Sequence, residues 1–136
     1  MIKNRKLVSI CYDHIGGVLG EAFFKFFLRE KWIEQNDNEY IITKKGWEEL
    51  EIIGIDVFKL QNSNRKILNI CIEKNLGIFH EHIGSYLGLL MFEHLKNLKW
   101  LKEKNGNNYE LTDKGVIGLK TLGVDIKKML PQTHIM

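Results

Sequence analysis

Two segments of the chain carry the same apolar pattern. Leu19, Ala22, Phe23, Phe26 and Phe27 fall at i, i+3, i+4, i+7 and i+8, one face of a helix. Leu87, Leu90, Met91, His94, Leu95 and Leu98 trace the same face in a second helix. A Trp follows each, then two short strand-like runs around a polar turn, Asn36-Asp37-Asn38 or Asn105-Gly106. Asn-Gly is a strong hairpin signal because both turn positions want positive φ. Thr43 and Thr112 then stand where an N-cap belongs. They predict helices over Lys44 to Ile53 and Asp113 to Leu122, each ended by a glycine, Gly54 or Gly123. Ahead of the first apolar face, the segment from about Arg5 reads as a further helix, broken at Gly16-Gly17.

The parallel extends along most of the chain. Arg5-Lys6-Leu7-Val8-Ser9-Ile10-Cys11 returns as Arg65-Lys66-Ile67-Leu68-Asn69-Ile70-Cys71. His14-Ile15-Gly16 returns as His82-Ile83-Gly84, and Tyr40 to Gly46 as Tyr109 to Gly115. Order is preserved, with an insertion between Cys71 and His82, so the chain is read as a duplication. The expected fold is mainly α with small β-hairpins, a tandem duplication of a winged-helix-like unit. Its expected parts are 1–58 and 65–126 as the repeats, 59–64 as connector and 127–136 as a loose tail holding the single proline, Pro131.

At 136 residues and 44% hydrophobic the chain is globular, yet each half alone is marginal for a core. The net charge of +3 permits nucleic-acid contact without demanding it. The basic residues are mostly lysine, whereas bidentate base reading favours arginine. Two cysteines are too few for a disulfide framework and are expected as reduced thiols in the cytoplasm. No apolar run has membrane-spanning length, so no membrane partner is expected.

Cys11-Tyr12-Asp13-His14-Ile15-Gly16-Gly17-Val18-Leu19-Gly20 resembles a Cys-Tyr-Asp-His-Leu-Ala-Gly-x-Leu-Gly stretch found in one branch of ArsR-type (arsenic-repressor-like) transcriptional regulators. There it opens the C-terminal region that follows the DNA-binding domain. The Tyr-x-Leu-Thr-x-x-Gly pattern, met here from Tyr40 to Gly46 and from Tyr109 to Gly115, is similar to the wing-to-helix junction of many winged-helix regulators. The resemblance covers about Arg5 to Asp125 and implies that C-terminal region without its DNA-binding domain. The second copy departs from the branch, reading Cys71-Ile72-Glu73-Lys74 where Cys-Leu-Asp-Trp is usual. The function implied is a non-catalytic regulatory or dimerisation module of an ArsR-like regulator. The alternatives are direct DNA binding through the wings, or metal and thiol sensing.

Candidate residues follow from these readings. For DNA phosphates they are Lys99, Lys102, Lys104 and Lys114, near the second hairpin. The helix before each hairpin is too apolar to face DNA, with Phe23, Phe24, Phe26 and Phe27 in one copy and Leu89 to Phe92 in the other. For association with the other copy, with a second chain or with another regulatory protein they are Phe24 and Phe92, both off the main stripe, and His94, which interrupts it. For a metal, the candidates are Cys11 and His14, three apart on the expected helix, with His80 and His82 beside Cys71. The spacing matches no familiar closed site and the copies are not expected to supply equivalent sets, so no metal is assigned. No catalytic or cofactor-binding motif is present, and neither an enzyme nor a cofactor is expected.

Overall fold

The computed structural model describes residues 7–75, 77–106 and 108–125. The basic start of the chain and the tail from 127 lie outside the described residues. The first copy runs β1 (Ser9–Cys11), β2 (His14–Gly16), α1 (Gly17–Arg29), β3 (Ile33–Asn36), β4 (Glu39–Ile42), α2 (Lys44–Ile53) and α3 (Val57–Gln61). The second runs β5 (Asn69–Asn75), β6 (Ile78–Gly84), α4 (Ser85–Asn97), β7 (Leu101–Asn105), β8 (Asn108–Leu111) and α5 (Asp113–Leu122). Among the described residues successive strands pair into four antiparallel two-stranded sheets.

This arrangement corrects the expected fold class. The described residues are 44% helical and 31% strand, a mixed α/β fold rather than a mainly helical one. The segment expected as a first helix is a hairpin in each copy, so the unit is hairpin, helix, hairpin, helix. Short apolar runs such as Leu7 to Cys11 do not distinguish helix from strand by periodicity. The two-residue turn Tyr12-Asp13 decides the matter locally, with Tyr12 at φ 62° and Cys11 directly opposite His14. The expected connector also departs from a plain link. Asp56 caps Lys59 N–H at 2.9 Å, and α3 forms across its start.

The remaining helices follow their local signals. The Thr43 hydroxyl oxygen accepts from Gly46 N–H at 2.9 Å and donates back to the Lys31 carbonyl at 2.6 Å. Thr112 does the same with Gly115 N–H at 3.0 Å and the Lys99 carbonyl at 2.6 Å. One hydroxyl thereby caps a helix and ties it to the turn that ends the preceding one. The glycine three residues on is required by closeness. A Cβ at Gly46 would lie 2.0 Å from the Trp32 carbonyl oxygen, and one at Gly115 2.6 Å from that of Trp100.

The two copies share one core and pack crosswise. α1 lies against β6 of the other copy, and α4 against β2. Leu19, Phe27 and Leu50 from the first copy, and Leu87 and Leu119 from the second, are fully buried in it. Gly20 and Gly88 let the helices approach. A Cβ on Gly20 would meet His82 Cβ at 3.1 Å, and one on Gly88 would meet His14 Cβ at 2.9 Å. The first turn of each long helix therefore sits on the histidine of the opposite hairpin.

Candidate metal centre

The crosswise packing brings the β1–β2 and β5–β6 hairpins face to face. Cys11 pairs with His14 across one, and Cys71 with His82 across the other. The second hairpin has ten residues between its Cys and His where the first has two. An even number added to a hairpin lengthens both strands equally and leaves the flanking pair opposed on the same face. The insertion therefore preserves the pair. The two copies do supply equivalent sets, contrary to expectation, because hairpin register and not sequence spacing places the ligands.

One ligand atom from each of Cys11, His14, Cys71 and His82 lies within 4.8 Å of all the others. His14 Nε2 is 3.3 Å from Cys71 Sγ, and the two imidazole centroids are 5.1 Å apart. Both histidines are buried, at 4% and 0% exposure, and both cysteines are half-buried. Tetrahedral zinc, with Zn–S near 2.3 Å and Zn–N near 2.0 Å, would set its ligand atoms about 3.3–3.8 Å apart. Closing the cluster onto an ion thus takes movements of about 1 Å or less.

Carboxylates hold both rings from behind. His14 Nδ1 donates to Asp13 Oδ1 at 3.1 Å, and Asp13 Oδ2 accepts from Arg65 of the other copy at 3.1 Å. His82 Nδ1 donates to Glu73 Oε1 at 3.1 Å, and the same oxygen accepts from Gly17 N–H at 3.0 Å. Asp13 and Glu73 each stand two residues after their cysteine. A histidine whose Nδ1 faces a carboxylate presents Nε2 to a metal, with orientation and basicity set by the carboxylate. Glu73 also places a negative charge at the N-terminus of α1, where the helix dipole favours it.

Burial raises the Cys11 thiol above its ordinary range, and Cys71, Glu73 and Asp13 raise it further. Burial also raises Cys71, against an opposing hydrogen bond with Cys11. Burial acts upward on Asp13, but hydrogen bonds from His14 and Arg65 and the Arg65 charge bring its carboxyl below the usual carboxylate range. Cysteines kept as thiols are weak nucleophiles. A cation bound at the cluster would displace protons from the thiols.

The other expected residues fall elsewhere. His80 is turned away from the cluster onto Glu21, its Nδ1 3.1 Å from Oε1. Cys71 is the member of the cluster that residue spacing missed, and the signal for it was its match to Cys11 in the repeat. Phe24 and Phe92, expected to pack on the other copy or on a second chain, are buried within this chain at 4% and 6% exposure. The β3–β4 and β7–β8 hairpins fold back over them, stacking Tyr40 edge-on against Phe24 and Tyr109 against Phe92. His94 is half-buried and donates from Nε2 to the Ile53 carbonyl at 2.8 Å, an internal contact. Lys99, Lys102, Lys104 and Lys114 are exposed, with Lys104 3.7 Å from Glu110. α1 and α4, the helices that precede the second hairpin of each copy, are largely buried. Among the described residues no helix is long and apolar enough to cross a membrane. The chain matches no protein-family model, no curated protein and no solved structure.

Proposed function

We propose that this chain is a non-catalytic regulatory module whose input is a transition-metal ion, foremost zinc, bound by Cys11, His14, Cys71 and His82. The observation that carries the reading is the convergence of those four side chains, two from each copy, with a carboxylate behind each imidazole. Two thiolates and two imidazoles complete a tetrahedral shell and leave no open position for substrate, which is the pattern of structural rather than catalytic zinc. The likeness of Cys11 to Gly20 to a C-terminal stretch of ArsR-type regulators supports the regulatory role. Because each copy contributes half the ligands, the ion cross-links the two copies. Occupancy then reports as a change in how tightly they are joined.

The test is titration of reduced, metal-free protein with Co(II) and then Zn(II). One equivalent of Co(II) per chain is expected to give the ligand-field and thiolate charge-transfer bands of a tetrahedral site, bleached by Zn(II). Binding at 1,000 times Kd adds about 4 kcal/mol to stability. For a chain of this size that raises Tm by on the order of 10–20 °C. Cys71→Ser is expected to abolish the bands. A stoichiometric site that survives both Cys11→Ser and Cys71→Ser would refute the assignment.

A further inference from the structure

We infer that a cleft between the second copy and the end of α2 binds a neutral, planar aromatic molecule carrying a hydrogen-bond donor. It encloses about 450 Å³, within the range of small-molecule sites. None of the four Cys and His residues of the metal centre lines it, so the two proposals stand or fall separately.

The duplication shows what shape the cleft lacks. In the first copy Phe26, Phe27 and Trp32 form a closed triad, with ring centroids 4.9–6.1 Å apart. Their counterparts are His94, Leu95 and Trp100, which exchange one phenyl ring for an imidazole and the other for an aliphatic chain. Glu49 of α2 corresponds to Gly118 of α5, and the Trp100 indole lies over that glycine. A Cβ there would sit 2.1 Å from Trp100 Cζ2. With the indole laid on α5 and two phenyl rings missing, an opening remains between α4, α5 and the end of α2. Its walls include Phe23, Met91 and Leu122. In the first copy the residues matching His94 and Leu95 are phenyl rings packed on Trp32. An aromatic molecule is therefore the shape the cleft accepts.

The polar groups narrow the class. Among the described residues no Lys, Arg, Asp or Glu lines the cleft, which disfavours a charged ligand. His94 gives its Nε2 proton to the Ile53 carbonyl, and in that tautomer Nδ1 is an acceptor. The Thr121 hydroxyl proton goes to the Ile117 carbonyl at 2.8 Å, leaving its oxygen to accept as well. His94 and Thr121 thus offer acceptors to a donor such as an aromatic N–H or phenol O–H, beside the donor N–H of the Trp100 indole, which also lines the cleft.

The experiment uses the full chain with indole as probe, 1-methylindole as the analogue without a donor, and indole-3-acetate as the charged analogue. Calorimetry gives affinity, and amide shifts locate the site. Saturable indole binding is expected, with shifts at Gly118 and Thr121. 1-Methylindole is expected to bind several-fold more weakly and indole-3-acetate at least tenfold more weakly. The variant His94→Phe/Leu95→Phe restores the ring pair of the first copy and is expected to weaken indole at least tenfold. Should it not fold, Leu98→Phe at the rim is expected to have the same effect. No saturable shift with indole, or undiminished binding by the folded refilled variant, would overturn the cleft. Equal binding of 1-methylindole would overturn the donor requirement.

Discussion

At the residue scale, the chemistry of the candidate centre depends on side chains that are not ligands. Glu73 accepts from both His82 and the first amide of α1, joining the metal centre to the start of a helix in the other copy. Glu73→Ala is expected to weaken zinc binding about 10–100-fold, the usual cost of losing a partner behind a histidine ligand. Glu73→Gln keeps an acceptor oxygen and is expected to recover much of the loss, read by competition with a chromophoric chelator. The pH dependence follows from the thiols. Both are raised, so at neutral pH they are protonated in the metal-free protein and must release protons to bind. Zinc affinity is therefore expected to rise with pH, by up to about 100-fold per unit while two protons are displaced. An affinity independent of pH between 6 and 8 would contradict thiolate ligation. Asp13 also favours higher pH, through the stability of the metal-free fold. Its folded value lies below the ordinary 3.8, so its contribution is present above that value and is lost as pH falls through the lowered one.

At the element scale, the hairpins carry the precision of the site. The β5–β6 hairpin projects beyond the Cys71–His82 pair, and its distal residues Ile72, Ile78 and Phe79 are exposed. Replacing residues 72–81 by Tyr-Asp, the turn of the first copy, is expected to keep the tetrahedral Co(II) spectrum, because the Cys–His pair stays opposed. Replacing them by a three-residue loop changes the parity of the turn and is expected to abolish it. The capping threonines are the counterpart for the helices. Thr112→Ala removes both the Gly115 cap and the tie to the Lys99 carbonyl, and is expected to cost about 1–2 kcal/mol in denaturant unfolding.

At the scale of the molecule, the repeats are joined too closely to act as separate domains. Each long helix covers the other copy's first hairpin, and the largest buried side chains come from both halves. Residues 1–64 expressed alone are expected to be unfolded by circular dichroism, as a unit of that size loses half of its core. Mixing them with 65–136 is expected to restore helicity, and zinc to strengthen the association. A folded isolated half would show that the shared core is dispensable. The ion pairs between copies, such as Arg65 with Asp13, are partly exposed and add little to that core.

The sequence by itself determined what depends on neighbours a few residues apart. The capped helices over 44–53 and 113–122, the glycine that ends each and the order of the repeat were all legible, because a cap or a turn is a contact within one or two turns of chain. Tertiary structure alone decided whether the segments opening each copy were helix or strand, since a short apolar run satisfies either period until a partner surface selects one. It also decided the centre itself: His14 and Cys71 stand 57 positions apart and meet only because each copy's helix packs on the other's hairpin. The burial of Phe24 and Phe92 was settled the same way, by hairpins whose return over the helix no local signal encodes.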